Sequence, residues 1–108
     1  MKGDLKHMWV IVFFDLPVKH PEQRRQATQF RNFLLNDGYL MLQYSVYARV
    51  CKGKESVDKH LNRVVSVLPS EGSVRTLQVT DKQYAKMKIL LGNLVPEERF
   101  EGEQLLFF

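Results

Sequence analysis

The chain has 108 residues, of which 44% are apolar and 26% are charged, a composition typical of one small globular domain. A domain of this size builds a single hydrophobic core, which excludes two catalytic domains. The longest uninterrupted apolar run, residues 8–14, is much shorter than the roughly 20 residues that a membrane-spanning helix needs. Cys51 is the only cysteine, which excludes a disulfide framework and a thiolate metal site and favours a reducing, cytoplasmic setting.

Charge is distributed unevenly along the chain. Residues 1–92 carry 15 basic and 8 acidic side chains, whereas residues 93–108 carry one basic and four acidic side chains. A basic body favours a polyanionic partner, nucleic acid in particular. A solvated basic surface is an equal alternative on charge alone.

The first half of the chain predicts a strand, a helix and a long strand. Residues 8–14 are β-branched and aromatic, and the run ends at Asp15, shortly before Pro17, which predicts a central strand. Pro21 suits the first position of a helix that runs to residue 37, with Gly38 after its end. Residues 39–51 alternate with a period of two but exceed the usual strand length, so we expect a break near residues 43–45.

The second half predicts a helix, a strand and a shorter helix. Ser56 can cap the first of these helices. Five of its apolar residues recur at helical spacing and are expected to face the core: Val57, Leu61, Val64, Val65 and Leu68. His60 lies outside this repeat and is expected to be solvated rather than a ligand. Residues 73–80 predict a strand, and Asp81 can cap a helical stretch that ends near residue 91.

Splitting the long strand gives the order βαββαβ, an α+β, ferredoxin-like arrangement with two helices on one face of an antiparallel sheet. The strands are apolar on both faces, so we expect a homodimer packed through the sheets. Residues 8–92 would form this core, residues 93–108 a C-terminal segment, and residues 1–7 an N-terminal extension or cloning remnant. An additional apolar strand is expected to lie on a sheet edge of the partner subunit: Leu105, Leu106, Phe107 and Phe108.

Asp15 is the acidic residue in the most informative position, because it ends the predicted central strand. The plain interpretation is a turn aspartate that bonds its own backbone, and the functional one is a ligand of Mg²⁺ or Mn²⁺. One carboxylate alone makes a poor divalent site, but a twofold axis near Asp15 would bring a second copy of it. Two aspartates with phosphate oxygens and waters could polarise a phosphodiester and generate hydroxide.

Basic residues form the second candidate site, for phosphate groups. Four of them follow Asp15 and continue along the first helix, whose N-terminal dipole favours phosphate, and two lie in a later basic stretch. The candidates are Lys19, Arg24, Arg25, Arg31, Lys82 and Lys86. Nearly all aromatic residues occupy strand or helix-core positions, which gives little support for base stacking. We therefore expect binding to a duplex backbone rather than to single strands.

Several segments, in this order, resemble one known family. They are Phe-Phe-Asp-Leu-Pro at 13–17, Phe-Arg-Asn-Phe-Leu at 30–34, Asp-Gly-Tyr at 37–39, Leu-Gln-Tyr-Ser-Val-Tyr at 42–47 and Leu-Gln-Val-Thr-Asp-Lys-Gln-Tyr at 77–84. They are similar to the small CRISPR-associated spacer-acquisition proteins, the "Cas two" family. The likeness covers residues 8–108 and is strongest to members from type II systems, which have a single large RNA-guided nuclease.

The resemblance implies a ferredoxin-like homodimer whose last strand docks on the other subunit. It implies a metal-dependent endonuclease of RNA or DNA in which Asp15 binds Mg²⁺ or Mn²⁺ and is catalytic, although nuclease activity varies among members. It also implies a bridge between CRISPR integrase dimers that grips pre-spacer duplex DNA through the basic candidates. The acidic tail residues would be docking candidates or a solvated loop: Glu97, Glu98, Glu101 and Glu103. The alternative is a stand-alone toxin-type ribonuclease of the virulence-associated D kind, which shares the fold and a strand-end acid.

Overall fold

A computed structural model describes residues 7–98 of the chain, apart from the side chain of Glu97. Its elements in chain order are β1 (His7–Asp15), α1 (Pro21–Asn36), β2 (Leu40–Gln43), β3 (Val46–Lys52), α2 (Lys54–Ser66), β4 (Ser73–Thr80) and α3 (Asp81–Ala85). A short 3-10 turn follows at Pro96–Glu98. No helix within residues 7–98 is long and apolar enough to cross a membrane. The predicted order of strands and helices is confirmed.

The four strands form one antiparallel sheet in the order β2-β3-β1-β4, which confirms the ferredoxin-like arrangement. β1 is central and pairs with both β3 and β4. The predicted break in the long strand is also confirmed, because Ser45 adopts a left-handed φ of 70° between β2 and β3. The predicted additional strand at residues 105–108 lies outside the described residues.

The first two helices pack on one face of the sheet, called the helix face here. Alternate residues of β1 point into this layer, because side chains alternate across a strand. Val10, Val12 and Phe14 are buried there against Phe30 and Leu34 of α1. The rings of Phe14 and Phe30 meet edge to face, with their centroids 5.2 Å apart. The helix face therefore holds the larger of the two buried clusters.

α3 packs on the opposite face, called the outer face here. The rings of Trp9 and Tyr84 stack with centroids 4.0 Å apart, and Trp9 Nε1 donates to Asp81 Oδ1 at 2.8 Å. The cover is partial, since Phe13 and Leu77 on the same face remain exposed. The chain thus covers some of the face that was expected to need a partner, and dimer packing through the sheets stays a prediction.

The second helix differs from its sequence prediction at its start and in its apolar face. It begins two residues before Ser56, and Gly53, with φ of 86°, is its N-cap. Val65 and Leu68 are exposed rather than in the core. Val65 is one position beyond the buried Val64 and so points about 100° away from it, and Leu68 follows the end of the helix.

His60 was expected to be solvated, and that prediction is wrong. It lies three residues after Val57 and four before Val64, so it shares their buried face. Its Nδ1 atom lies 2.7 Å from Asp37 Oδ2, and Arg63 Nη1 donates to Asp37 Oδ1 at 2.6 Å. This cluster joins the end of α1 to α2, and the polar partner explains how a histidine is accommodated in the core.

The third helix is shorter than predicted, because it ends at Ala85 rather than near residue 91. Thr80, one residue before the predicted cap Asp81, is the N-cap, and its hydroxyl accepts a hydrogen bond from the N–H of Gln83 at 3.1 Å. The N–H groups of residues 86 and 87 bond carbonyls three residues earlier. Such tightened bonds close the last turn of the helix.

Candidate metal and nucleic-acid site

Asp15 is the last residue of β1 and lies opposite Ser73 of β4. It has the parity of Ile11 and Phe13, which places its side chain on the outer face rather than under the helices. The residue is exposed, and its carboxylate makes no hydrogen bond or ion pair with any residue that the structure describes. An exposed carboxylate without a protein partner is free to bind a cation.

The backbone around Asp15 is held from two sides. The Phe14 N–H donates to the Ser45 carbonyl at 3.1 Å, and Gly72 packs against the other side. Gly72 has φ of 104°, and a Cβ placed on it would lie 2.8 Å from the Asp15 carbonyl oxygen and 2.8 Å from Leu16 Cδ2. Any larger residue would force the strand end to move. The position of Asp15 is therefore fixed although its side chain is in solvent.

The ligands available at Asp15 fit a magnesium-type site only in part. Within residues 7–98, no three His, Cys, Asp or Glu side chains form a group that could hold a metal ion. Magnesium is usually bound by one or two carboxylates, with waters and substrate phosphates at the other positions. Asp15 offers one hard-oxygen ligand of this kind. A second carboxylate would have to come from another copy of the chain.

Two of the predicted phosphate-binding residues already have protein partners. Arg25 forms a two-bond ion pair with Glu22, at 2.9 and 2.5 Å. The hydrogen bond from Arg25 is the main reason that the pKa of Glu22 is lowered to about 2. Arg24 Nη1 donates to the carbonyls of Val18 and Lys19 at 3.0 Å each. Arg24 thus braces the loop before α1, and the charge of Arg25 is locally balanced.

The other four predicted basic residues have no acidic partner within the described range. Lys19 is exposed in the loop before α1, and the half-buried Arg31 places its guanidinium 5.9 Å from the centroid of the Tyr44 ring. Lys82 and Lys86 are exposed in α3 and at its C-cap. Because α1 and α3 lie on opposite faces of the sheet, the structure does not bring all six candidates into one patch.

The C-terminal segment is described only to Glu98. The predicted strand residues Leu105, Leu106, Phe107 and Phe108 lie outside the described part of the chain. Glu98 is 4% exposed, and it accepts hydrogen bonds from the Tyr84 hydroxyl at 2.5 Å and the Val95 N–H at 2.9 Å. Burial raises the pKa of Tyr84, and the neighbouring carboxylate raises it further. Glu98 is therefore buried within the chain, in contrast to both alternatives for it, a docking residue and part of a solvated loop.

Tyr44 is an exposed aromatic residue that the sequence interpretation missed. The two-residue pattern places it in a strand, but it lies in the turn between β2 and β3, and 77% of its surface is exposed. A break near residues 43–45 is predicted from strand length alone. That break was the signal, because a side chain in a short surface turn cannot be part of the core.

The fold and the site together define a small ferredoxin-like protein that carries an exposed strand-end carboxylate and basic residues without an acidic partner in the described part of the chain. The family model described as "CRISPR associated protein Cas2" matches residues 8–87, which is most of the chain. The chain belongs to the Cas2 family of CRISPR-associated proteins. This confirms the family resemblance and favours the CRISPR interpretation over the toxin-type alternative.

Similar proteins cover almost the whole chain. A protein of Acidovorax ebreus is 51% identical over 102 residues, which are 94% of this chain and 100% of that protein. One from Campylobacter jejuni is 44% identical over 91% of this chain and 68% of its own length. One from Ligilactobacillus salivarius is 43% identical over 92% and 98%. Each of the three is named a CRISPR-associated endoribonuclease Cas2.

Proposed function

We propose that this protein is a CRISPR-associated nuclease in which Asp15 is the catalytic residue, and that it acts as a homodimer in spacer acquisition. The observation that carries the proposal is the exposed carboxylate of Asp15, which has a fixed backbone and no partner among residues 7–98. The names of the similar proteins support the same reaction class, cleavage of a phosphodiester.

Asp15 would hold Mg²⁺ or Mn²⁺ together with its counterpart from a second copy of the chain. Bound there, the ion would polarise the phosphodiester and make hydroxide available at neutral pH. Asp15 itself would keep the ion at the end of the central strand. The outer face supports this pairing, because Phe13 and Leu77 remain exposed on the face toward which Asp15 points. A second copy that covered them would bring the two carboxylates toward each other.

The basic residues would bind the phosphates of pre-spacer duplex DNA, while the dimer bridges the CRISPR integrase dimers. Lys19 and Arg31 support this role in the first-helix region, because no carboxylate within the described range neutralises them. Lys82 and Lys86 would contribute from the other face. Arg24 would add positive potential beside them, whereas the charge of Arg25 is balanced by Glu22. Phosphate contacts position a protein on a duplex without reading its sequence, and RNA is the alternative substrate.

Cleavage of labelled single-stranded RNA and duplex DNA by the full chain, with Mg²⁺ or Mn²⁺, tests the nuclease. We expect metal-dependent cleavage that falls by about 100-fold or more in Asp15→Asn, since the variant loses the anionic ligand. Asp58→Asn is the matched control, because Asp58 is an exposed aspartate of α2 whose one ion pair among residues 7–98 is with Lys54, at 3.6 Å. Cleavage that survives in Asp15→Asn would contradict the proposal.

Binding experiments test the role in spacer acquisition separately. Lys19→Ala should weaken duplex binding for all sequences alike and reduce the slope of log affinity against log salt by about one. Lys59→Ala, which removes an exposed lysine of α2, is the control and should change that slope less. Co-purification with an integrase dimer is expected for the bridge. A chain that never associates with the integrase would contradict it.

A further inference from the structure

Tyr44 is the most exposed aromatic residue of known burial in the described range, and it lies where an aromatic ring is unusual. Tight turns favour Gly, Asn, Asp and Ser, whereas large rings are normally used for burial. The next residue, Ser45, adopts φ of 70°, a left-handed conformation that is uncommon for a residue other than glycine. The turn therefore holds a large π surface in solvent.

Arg31 places a positive charge beside this ring. Its guanidinium carbon lies 5.9 Å from the Tyr44 centroid, within the range of a cation–π contact. No carboxylate in residues 7–98 forms an ion pair with Arg31, in contrast to Arg25, which is bonded to Glu22. An exposed ring beside an uncompensated guanidinium offers both a stacking surface for a base and a donor for its phosphate.

The pair lies at the same end of the sheet as Asp15. The Phe14 N–H donates to the Ser45 carbonyl at 3.1 Å, so the Tyr44 turn is bonded to the strand one residue before Asp15. The two side chains lie on different sides of the sheet, because Tyr44 is next to Arg31 of α1 whereas Asp15 is on the outer face. A strand of nucleic acid that passed over the end of β1 would meet both.

We propose that Tyr44, supported by Arg31, is a positioning residue that stacks on one unpaired base and orients the strand for cleavage at Asp15. The inference rests on the proposed nuclease function and names its substrate class, a nucleic acid with an unpaired base near the scissile bond. A base inside a duplex is covered by its neighbours on both faces, so it cannot stack on a protein ring without leaving the helix. The duplex-only binding predicted from the sequence overlooked this residue.

Fluorescence of 2-aminopurine tests the stacking directly. A single-stranded oligonucleotide that carries this base is titrated with the full chain in EDTA, so that no cleavage can occur. We expect quenching with the unmodified protein and with Tyr44→Phe, which keeps the ring. Tyr44→Leu should remove the quenching and weaken single-strand binding by about 5- to 100-fold, the range for loss of one aromatic stack. Binding to the matching duplex should change by less than about twofold.

A control variant and three contrary outcomes test whether Tyr44 is the residue that stacks on a base. Val65→Ala removes an exposed apolar side chain of α2 and should change neither quenching nor affinity. Unchanged single-strand binding in Tyr44→Leu would overturn the proposal, as would an equal loss on single strands and duplex. Loss of dimerisation or of a protein partner with normal quenching would assign Tyr44 to a protein contact instead. The stacking measurement does not depend on Asp15. Cleavage that survives in Asp15→Asn would refute the proposed nuclease site, but it would not change the quenching by Tyr44.

Discussion

Two aspartates lie at the ends of consecutive elements of the fold and have opposite surroundings. Asp37 follows α1, its side chain is 8% exposed, and its two oxygens are used by His60 at 2.7 Å and Arg63 at 2.6 Å. Asp15 ends β1, is exposed and makes no such contact within residues 7–98. Both positions have the same residue type, and the structure shows how differently the two carboxylates are surrounded. Their surroundings assign Asp37 to the stability of the fold and leave Asp15 available for chemistry.

The protonation of Asp37 follows from the same surroundings. Burial by itself would raise the pKa of this carboxyl, but the hydrogen bonds from His60 and Arg63 outweigh burial and hold the pKa below its ordinary value. Arg49 also donates to the Asp37 backbone carbonyl. Folding therefore favours the carboxylate form of Asp37. The stability of the contact between the end of α1 and α2 consequently depends on pH.

The largest expected effect is the loss of stability in Asp37→Ala. The substitution leaves His60 buried without its partner and removes the link from Arg63, so the free energy of unfolding should fall by about 3 kcal/mol. Urea denaturation measures this change. Asp58→Ala is the control, because its exposed ion pair with Lys54 contributes at most about 1 kcal/mol. An equal loss in the free energy of unfolding for the two variants would contradict the structural role assigned to the buried Asp37.

A smaller effect is expected where Gly72 packs against the Asp15 backbone. Gly72→Ala and Gly92→Ala both place a side chain at a left-handed φ, 104° and 108°. A Cβ at Gly72 meets the Asp15 carbonyl, whereas a Cβ at Gly92 meets none of the residues that the structure describes within 4 Å. Each should lose about 1–2 kcal/mol to the backbone conformation, and Gly72→Ala about 1–2 kcal/mol more to the clash. Urea denaturation of both variants isolates the clash, and equal losses would show that the strand end is not tightly held.

Much of the fold could be predicted because its signals are local. The apolar run of β1 and the period-two pattern of residues 39–51, which form β2 and β3, mark strands directly, and Gly38 marks the end of α1. Contacts between distant residues have no such signal. Trp9 bonds Asp81, and Asp37 bonds His60, across 72 and 23 positions of sequence. The burial of His60, in contrast, had a local signal that was overlooked. Its spacing from the buried valines of α2 places it on the same face of the helix.

The candidate site was predictable to a different degree for each residue. Asp15 could be found because it ends a strong strand, and that strand fixes where it lies. The states of Arg24 and Arg25 depend on which neighbours they bond. For Arg25 a signal existed, because Glu22 is three residues away on the same helix, a spacing at which opposite charges meet. For Arg24 the partner is a loop whose path the sequence does not specify.

The response of stability to acid separates buried from exposed carboxylates further. The folded pKa of Asp37 is lowered, so its stabilisation is complete above the unfolded value of about 4 and is lost as the pH falls through the folded value. The stability difference between the unmodified protein and Asp37→Asn should therefore narrow as the pH falls from 6 to 3. Glu22→Gln is the control, since Glu22 has a pKa of about 2 but is exposed, where solvent screens its ion pair. A difference that widens in acid would contradict this linkage.

The smallest expected effect is that of Asp15→Asn on stability without metal, within about 0.5 kcal/mol for a surface residue with no partner. Any change should be a gain, because a dimer that brings two Asp15 carboxylates together pays for their repulsion. Added Mg²⁺ or Mn²⁺ should then raise the melting temperature of the unmodified protein and leave that of Asp15→Asn unchanged. A loss above about 1 kcal/mol would place Asp15 among the structural residues with Asp37. An equal rise in melting temperature for both proteins would show that the ion binds at another site. These melting curves therefore test the role of Asp15 without measuring cleavage.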